Sequence, residues 1–531
     1  MNLGLARAAF AQVSRLATCS SVNLEQQVLR NSGLIFVARV VSIAVSICTV
    51  PLIIKHLGIQ GYGTWESLLA ISTLATIFQS SLGGALLWGM SAALGRNRPH
   101  ELNRLAGAGL IVTVLLIALI LPPAWFFRSA TIAFLHIPVA QVVVARAIMP
   151  ALLGMATLSC IHETMASILG AHQHIGVAIL LQAVLQALDN TAALILVAAG
   201  FGLTSMLLGH AATFLIGLGL YAAAIKMLCK AGTLSPAFPT MSDLHQTVRY
   251  GALMLTATIA VAMRGQSDKV ILAAVGSQSL VATYSIAAKL ASLVIITSSI
   301  LTTPLITAVG RLVPADHWEK IKSLYSNVTS LVCLASGLAA VVLAAVHQQL
   351  LTLWLGAHAP HIASILYMLL FGNLFVVVAS GTASALCKGL NRLGIETHYA
   401  AISLVLNVVF TPILLLLCGP VGTVIASVLT WCVSSLLFLV SVLRKLRLGS
   451  IAVRTGALAI VFALGTLGIL QVLGFPLRQA LDRGGQPILT VAGTAVIGGL
   501  LYTAAMWFSC EDLRSAIRRM LWPAVDEVAV S

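Results

Sequence analysis

Apolar residues run along this chain in long blocks separated by short polar turns. The blocks fall at 33–54, 65–89, 105–127, 147–169, 175–199, 203–225, 250–275, 281–309, 326–347, 362–386, 398–418, 420–443, 455–474 and 487–508. A bilayer core of ~30 Å demands about 20 apolar residues of a helix, and the blocks have that length. A helix satisfies its own backbone donors and acceptors in lipid. A membrane barrel would instead need alternating segments of about ten residues, and the chain has none. The pattern therefore predicts an all-α polytopic membrane protein with about fourteen transmembrane helices.

Composition agrees. The 531 residues are 59% hydrophobic and 8% charged, with a mean hydropathy of +1.02. A soluble domain carries roughly 25% charged residues. The net charge of +15 is distributed with a rule. Of thirty Lys and Arg residues, 21 lie at the termini or in even-numbered loops, 5 lie in odd-numbered loops, and Arg39, Arg264, Lys269 and Lys289 lie inside spans. Basic residues are retained on the cytoplasmic side, so both termini are expected to be cytoplasmic, in a bacterial inner membrane. That use of charge leaves no basic soluble module, and nucleic acid is not an expected partner. The bilayer is, because anionic headgroups attract the same residues.

Other features narrow the class by what they exclude. The nine cysteines sit in or beside apolar runs, with none in an odd-numbered loop, and read as small packing residues. Residues 1–30 mix Arg7 and Arg15 with Ala and Leu and carry no A-x-A site, so no cleaved leader is expected. A short interfacial helix and a disordered lead-in both fit that stretch. There is no P-loop, HExxH or GxSxG motif. No enzyme activity, no cofactor and no ATP-driven transport within this chain are expected.

A repeat is visible. The first helix ends at His56-Leu57-Gly58 and the second near Gly95-Arg96; the seventh ends at Ala274-Val275-Gly276 and the eighth at Gly310-Arg311. The Gly-to-Arg spacings are 38 and 35 residues. The expected organisation is a cytoplasmic segment 1–32, a six-helix bundle 33–225, a cytoplasmic linker 226–249, a second six-helix bundle 250–443, two further helices within 444–508, and a cytoplasmic tail 509–531. Parallel repeats of this kind place a substrate path at their interface, so a central cavity between the bundles is expected.

Several stretches resemble one family. They are Pro51-Leu52-Ile53-Ile54-Lys55-His56-Leu57-Gly58 with Gly61-Tyr62-Gly63-Thr64-Trp65, Asp268-Lys269-Val270-Ile271-Leu272, Tyr284-Ser285-Ile286-Ala287-Ala288-Lys289-Leu290, Leu350-Leu351-Thr352-Leu353-Trp354-Leu355-Gly356 and Lys388-Gly389-Leu390-Asn391-Arg392. Together they are similar to the Wzx-like polysaccharide flippases that handle O-antigen and exopolysaccharide, within the superfamily that also holds the MATE exporters. The likeness extends over most of residues 30–445. It implies a V-shaped pair of six-helix bundles that flips polyprenyl-diphosphate-linked oligosaccharides to the outer leaflet, beside other membrane proteins of polysaccharide assembly.

Charges inside spans cost free energy and are functional candidates by default. Arg264 and Asp268 stand at i and i+4 on one helix face, Lys269 follows, and Lys289 lies a little over two turns into the next span. Arg264, Asp268, Lys289, Lys269 and Arg39 are the candidate substrate-binding residues, because an excess of cations suits a diphosphate and arginine offers it a planar fork. An Arg264–Asp268 brace and a snorkelling Lys269 or Arg39 fit the same positions. Glu66, Glu163 and Asp189 are candidates for a coupling Na+ or H+. Gln182, Gln186 and Asp189 share one face, and hydrogen bonding between helices is the other use of such a face. Three rival functions remain: a drug or cation antiporter, an integral-membrane glycosyl-transfer enzyme, and a scaffold in an assembly complex. The antiporter would favour a cavity dominated by carboxylates.

Overall fold

A computed structural model of the chain describes residues 24–96, 98–172, 174–229, 236–312, 318–355, 362–390, 392–446, 451–482 and 487–517 except 512 and 516. Among these residues every regular element is helical. In chain order they are α1 (Leu24–Gly95), α2 (Pro99–Phe126), α3 (Arg128–Phe134), α4 (Val139–Leu158), α5 (Cys160–Ala171), α6 (Ile175–Ala198), α7 (Thr204–Leu228), α8 (Met241–Val275), α9 (Gln278–Leu312) and α10 (Trp318–Leu355). There follow α11 (Ala363–Val376), a π turn (Val377–Gly381), α12 (Thr382–Gly389), α13 (Leu393–Cys418), α14 (Val421–Leu446), α15 (Ile451–Asp482) and α16 (Pro487–Ser509).

This is the all-α polytopic architecture that the apolar blocks predict. Eleven helical segments among the described residues are long and apolar enough to cross a membrane. Of the predicted spans, the first two are the limbs of α1, while α8 and α16 occupy the seventh and fourteenth. Gly58 parts the limbs of α1 at φ 71° and ψ 169°, a conformation that essentially only glycine takes. Lipid is the solvent of the outer faces: α13 leaves Val405, Val408 and Leu416 exposed, the last by 87%. A contiguous face of that kind on a water-soluble protein would be an aggregation site.

Helix ends depart from the predicted spans where the chain leaves the apolar region. α8 begins nine residues before 250, because Thr240 and Asp243 form a capping box that satisfies two orphan donors reciprocally. The fourth span is two helices, α4 and α5, meeting at Ser159, with α4 already under way at Val139. The short α3 fills part of the loop before it, with the Arg128 guanidinium 3.8 Å over the Trp125 ring.

The chain divides into two compact units, Met1–Ala282 and Thr283–Ser531. α8 thus packs with the first unit. In that unit, Leu86 and Met90 of α1, Leu102 of α2, Leu169 of α5, Leu181 of α6 and Ile225 of α7 form one buried cluster. The second unit has its own cluster, built on Val309, Tyr325, Leu386, Phe438 and Val442. There α15 and α16 pack on α10, where the buried Tyr502 hydroxyl donates to the Cys333 carbonyl at 2.9 Å.

Candidate functional site

The first unit encloses a cavity of about 580 Å³ between α1, α4, α5, α6 and α7. Its lining is polar for a site within apolar helices. α1 contributes Ser42, Ser72, Thr73 and Thr76; α6 contributes Gln182, Gln186 and Asp189; His162, His210 and Thr213 complete the polar set. The spacing of Gln182, Gln186 and Asp189 along α6 carries all three to this wall. Both glutamine side chains are exposed into the space.

The ionisable groups in the cavity have partners. Asp189 Oδ1 meets His210 Nδ1 at 2.6 Å. His162 Nε2 lies 3.1 Å from the Phe214 carbonyl, a bond that needs the proton on Nε2. Its ring also stacks on Phe214 at 4.8 Å between centroids. Next along α5, Glu163 leaves the cavity and accepts from Gln79 Nε2 of α1 at 3.3 Å. The Cβ of any residue replacing Gly83 would stand 2.7 Å from a Glu163 oxygen, so this glycine makes the room.

A second polar group joins the second limb of α1 to α8. Glu66 is 2% exposed. It accepts from the Tyr62 hydroxyl at 2.7 Å and from Lys269 Nζ at 2.8 Å. Lys269, grouped by sequence with Arg264 and Asp268, therefore engages a carboxylate 203 residues away. Asp268 is fully buried and is not free. Lys289 lies half-buried on α9, also engaged. Arg39 and Arg264 belong to α1 and α8, but their side chains lie outside the described residues.

Tyr62, His210 and Gln278 are among the participants that the sequence did not single out. Tyr62 had a local signal, since it precedes Glu66 by one helical turn. His210 had a weaker one, as an intramembrane histidine. Gln278 carried none: it accepts from Ser67 at 2.7 Å and donates to the Leu135 carbonyl.

The second unit holds a cavity of another kind, about 660 Å³ and walled by α10, α11, α14 and α15. Val341, Phe371, Leu374, Val428, Leu429 and Leu467 are typical of its lining, with Tyr367 and Cys432 the groups that carry polar atoms.

No protein-family profile matches the chain, and no curated protein matches it by sequence. Solved structures do match. The lipid II flippase MurJ in an inward closed conformation is similar over 92% of this chain and 99% of its own, with a TM-score of 0.71 at 13% identity. An inward-facing multidrug resistance MATE transporter of the MOP superfamily is similar over 76% and 94%, with 0.67 at 14%. A MOP superfamily transporter from Pyrococcus furiosus, described by the reverse polarity of its binding pocket, is similar over 80% and 96%, with 0.59 at 14%. The chain has the fold of the MATE/MOP transporters and is an integral, multi-pass membrane protein.

Proposed function

We propose that this protein flips a polyprenyl-diphosphate-linked oligosaccharide from the cytoplasmic to the outer leaflet of a bacterial inner membrane, for O-antigen or exopolysaccharide synthesis. Alternating access is driven by an ion or voltage gradient. The observation that carries this reading is the state of the embedded carboxylates. In and around the first unit's cavity, Asp189 is engaged by His210, Glu163 by Gln79 and Glu66 by Lys269. A cation antiporter would favour a cavity dominated by carboxylates, and Asp189 is the one carboxylate among the lining residues described. Amides and hydroxyls are open instead, and these suit a polyhydroxyl headgroup.

Two further observations agree. The apolar cavity of the second unit offers a hydrocarbon chain a wall with almost no polar atoms, which fits a polyprenyl tail. The fold likeness to a flippase also reaches farther along this chain than the likeness to MATE transporters, 92% against 76–80%. Arg264 and Lys289 are the cations we propose for the diphosphate, and a H+ exchanged at the Asp189–His210 pair for coupling.

The test uses the purified protein in ATP-free vesicles loaded with a polyprenyl-diphosphate sugar, with cationic dye efflux followed in parallel. The expected result is lipid-linked sugar in the outer leaflet, accelerated by an imposed potential or ion gradient, and no dye movement. Arg264→Ala and Lys289→Ala, each on its own, should stop the sugar. Dye efflux without sugar movement would replace the flippase by the drug antiporter.

A further inference from the structure

The polar side chains around the first unit's cavity differ in what they still offer a ligand. Ser72 and Thr73 of α1 both donate to the Leu69 carbonyl, at 3.0 and 2.8 Å. Thr76 donates to the Thr73 carbonyl at 2.7 Å, and Ser159, between α4 and α5, donates to the Met155 carbonyl at 3.0 Å. These four hydroxyls have their proton on their own backbone and are left to the cavity as acceptors. His162 gives its Nε2 proton to the Phe214 carbonyl, which leaves Nδ1 as an acceptor. Asp189 has one oxygen on His210 Nδ1 and one to spare, and His210 keeps its Nε2. The Ser42 hydroxyl can donate or accept, while that of Thr213 is buried behind the wall.

Fresh donors come from α6. Gln182 and Gln186 stand one helical turn apart, about 6 Å along the axis, and both are exposed into the space. Each carries an NH2 group with two protons and a carbonyl that accepts. Around these two amides lies an excess of acceptors. A ligand that satisfies such a lining must donate several bonds and must also accept from the amides. A sugar hydroxyl does both. An ammonium cation only donates. A diphosphate only accepts, so it would leave the hydroxyl oxygens unpaired and bring its charge against Asp189. Polar groups left unmatched in a closed site cost affinity. The volume of about 580 Å³ is that of a small-molecule site, for which about 300–1,000 Å³ is usual.

We propose that this cavity reads a neutral hexose residue of the substrate. On this assignment Gln182 and Gln186 donate to its hydroxyls and accept from them, the spare Asp189 oxygen and the α1 hydroxyls accept from them, and the diphosphate stays outside. A uronic acid is refused, because its carboxylate adds acceptors and negative charge to a wall that already holds both. The proposal deepens the flippase reading above and rests on it.

Saturation-transfer NMR on the purified protein in nanodiscs tests it, because the method detects weak binding and needs no transport. The probes are the methyl glycosides of glucose, galactose, mannose and N-acetylglucosamine, methyl glucuronide, and the cationic dye ethidium. Transfer is expected to the ring protons of at least one neutral glycoside and not to the glucuronide, and excess inorganic pyrophosphate should leave the sugar signal in place. Gln182→Leu and Gln186→Leu should each weaken that sugar about 2- to 12-fold, the effect of one hydrogen bond, with an unchanged melting temperature as the sign of an intact fold. No transfer to any neutral glycoside means a water-filled vestibule and overturns the proposal. Transfer to the glucuronide as strong as to the neutral sugars, transfer to ethidium alone, loss of the sugar signal to pyrophosphate, or undiminished binding by both variants overturns it too. Flipping assays separate the site from the reading it rests on. Sugar binding by a protein that flips no lipid-linked sugar keeps the site and rejects the flippase. Flipping with an unaltered half-saturating substrate concentration in Gln182→Leu/Gln186→Leu keeps the flippase and rejects the site.

Discussion

Asp243 is one carboxylate with three tasks: it accepts from the Thr240 N–H, from the Thr240 hydroxyl and from Arg104. Burial opposes its charge, but the Thr240 bonds and the Arg104 guanidinium together hold its carboxyl below the usual 3.8. A carboxyl depressed on folding contributes stability that is complete above the unfolded value and is lost as pH falls through the folded one. Asp243→Ala should therefore lower the stability of the detergent-solubilised protein by about 1–2 kcal/mol at pH 7, the scale of a lost N-terminal cap. The deficit should shrink as the pH is taken below 3.8, because the parent protein is then losing the same contribution. Thermal unfolding of both proteins at pH 7 and pH 3 checks this; a deficit that does not change with pH would show that the carboxylate charge is not what matters. The capping residues stand three apart as Thr240 and Asp243, but the hydropathy pattern, which begins this helix at 250, did not mark them. Nor did it mark the partner of Glu66, because that pairing depends on which of many apolar helices come to lie side by side, and hydropathy does not encode it.

At the scale of elements, the apolar blocks located the helices because bilayer thickness fixes their length, and they failed at the ends, where water replaces lipid and capping takes over. The packing of one helix on another was legible least of all. α16 on α10 illustrates the reason. Gly337 of α10 makes space for the hydroxyl of Tyr502, which would stand 1.9 Å from any Cβ there. The ring cannot retreat, since Tyr502 is fully buried and its hydroxyl is bonded to Cys333. In a sequence with 42 glycines, nothing local marks Gly337 as the one beneath a tyrosine. Gly337→Ala should cost about 1–3 kcal/mol through overpacking. Tyr502→Phe should cost about 0.5–1.5 kcal/mol for the lost hydrogen bond. In Gly337→Ala/Tyr502→Phe the second change removes the hydroxyl at 1.9 Å but leaves the ring Cζ at 2.4 Å, so the pair should be somewhat less damaging than the sum of the two and still overpacked. Melting temperatures of the three variants give the comparison; strict additivity would mean the glycine has another role.

At the scale of the whole chain, orientation is carried by charge. The positive-φ residues among those described are Gly58, His136, Gly200, Gly202 and Gly419. They fall in the first, third, fifth and eleventh loops, all odd-numbered, the set that holds only 5 of the thirty basic residues. Tight turns reverse the chain in few residues and rely on left-handed backbone that glycine supplies cheaply. The longest connection, 226–249, lies in the other parity and contains Thr240 and Asp243. The 21-to-5 partition of basic residues between the two sets of loops reflects retention of cations during insertion. That partition makes the orientation a sharp prediction. Reporters fused after Arg104, Arg249, Lys322, Arg447 and Arg519 should read cytoplasmic, and those near Ile59, Gly202, Gly419 and Asp482 should read periplasmic. The fusion at Gly419 is the most discriminating, because its turn joins α13 to α14 after ten earlier crossings and any miscounted helix reverses it. A cytoplasmic reading there would require an error upstream, and the two limbs of α1, joined at Gly58 into one continuous element, would be the first place to look for it.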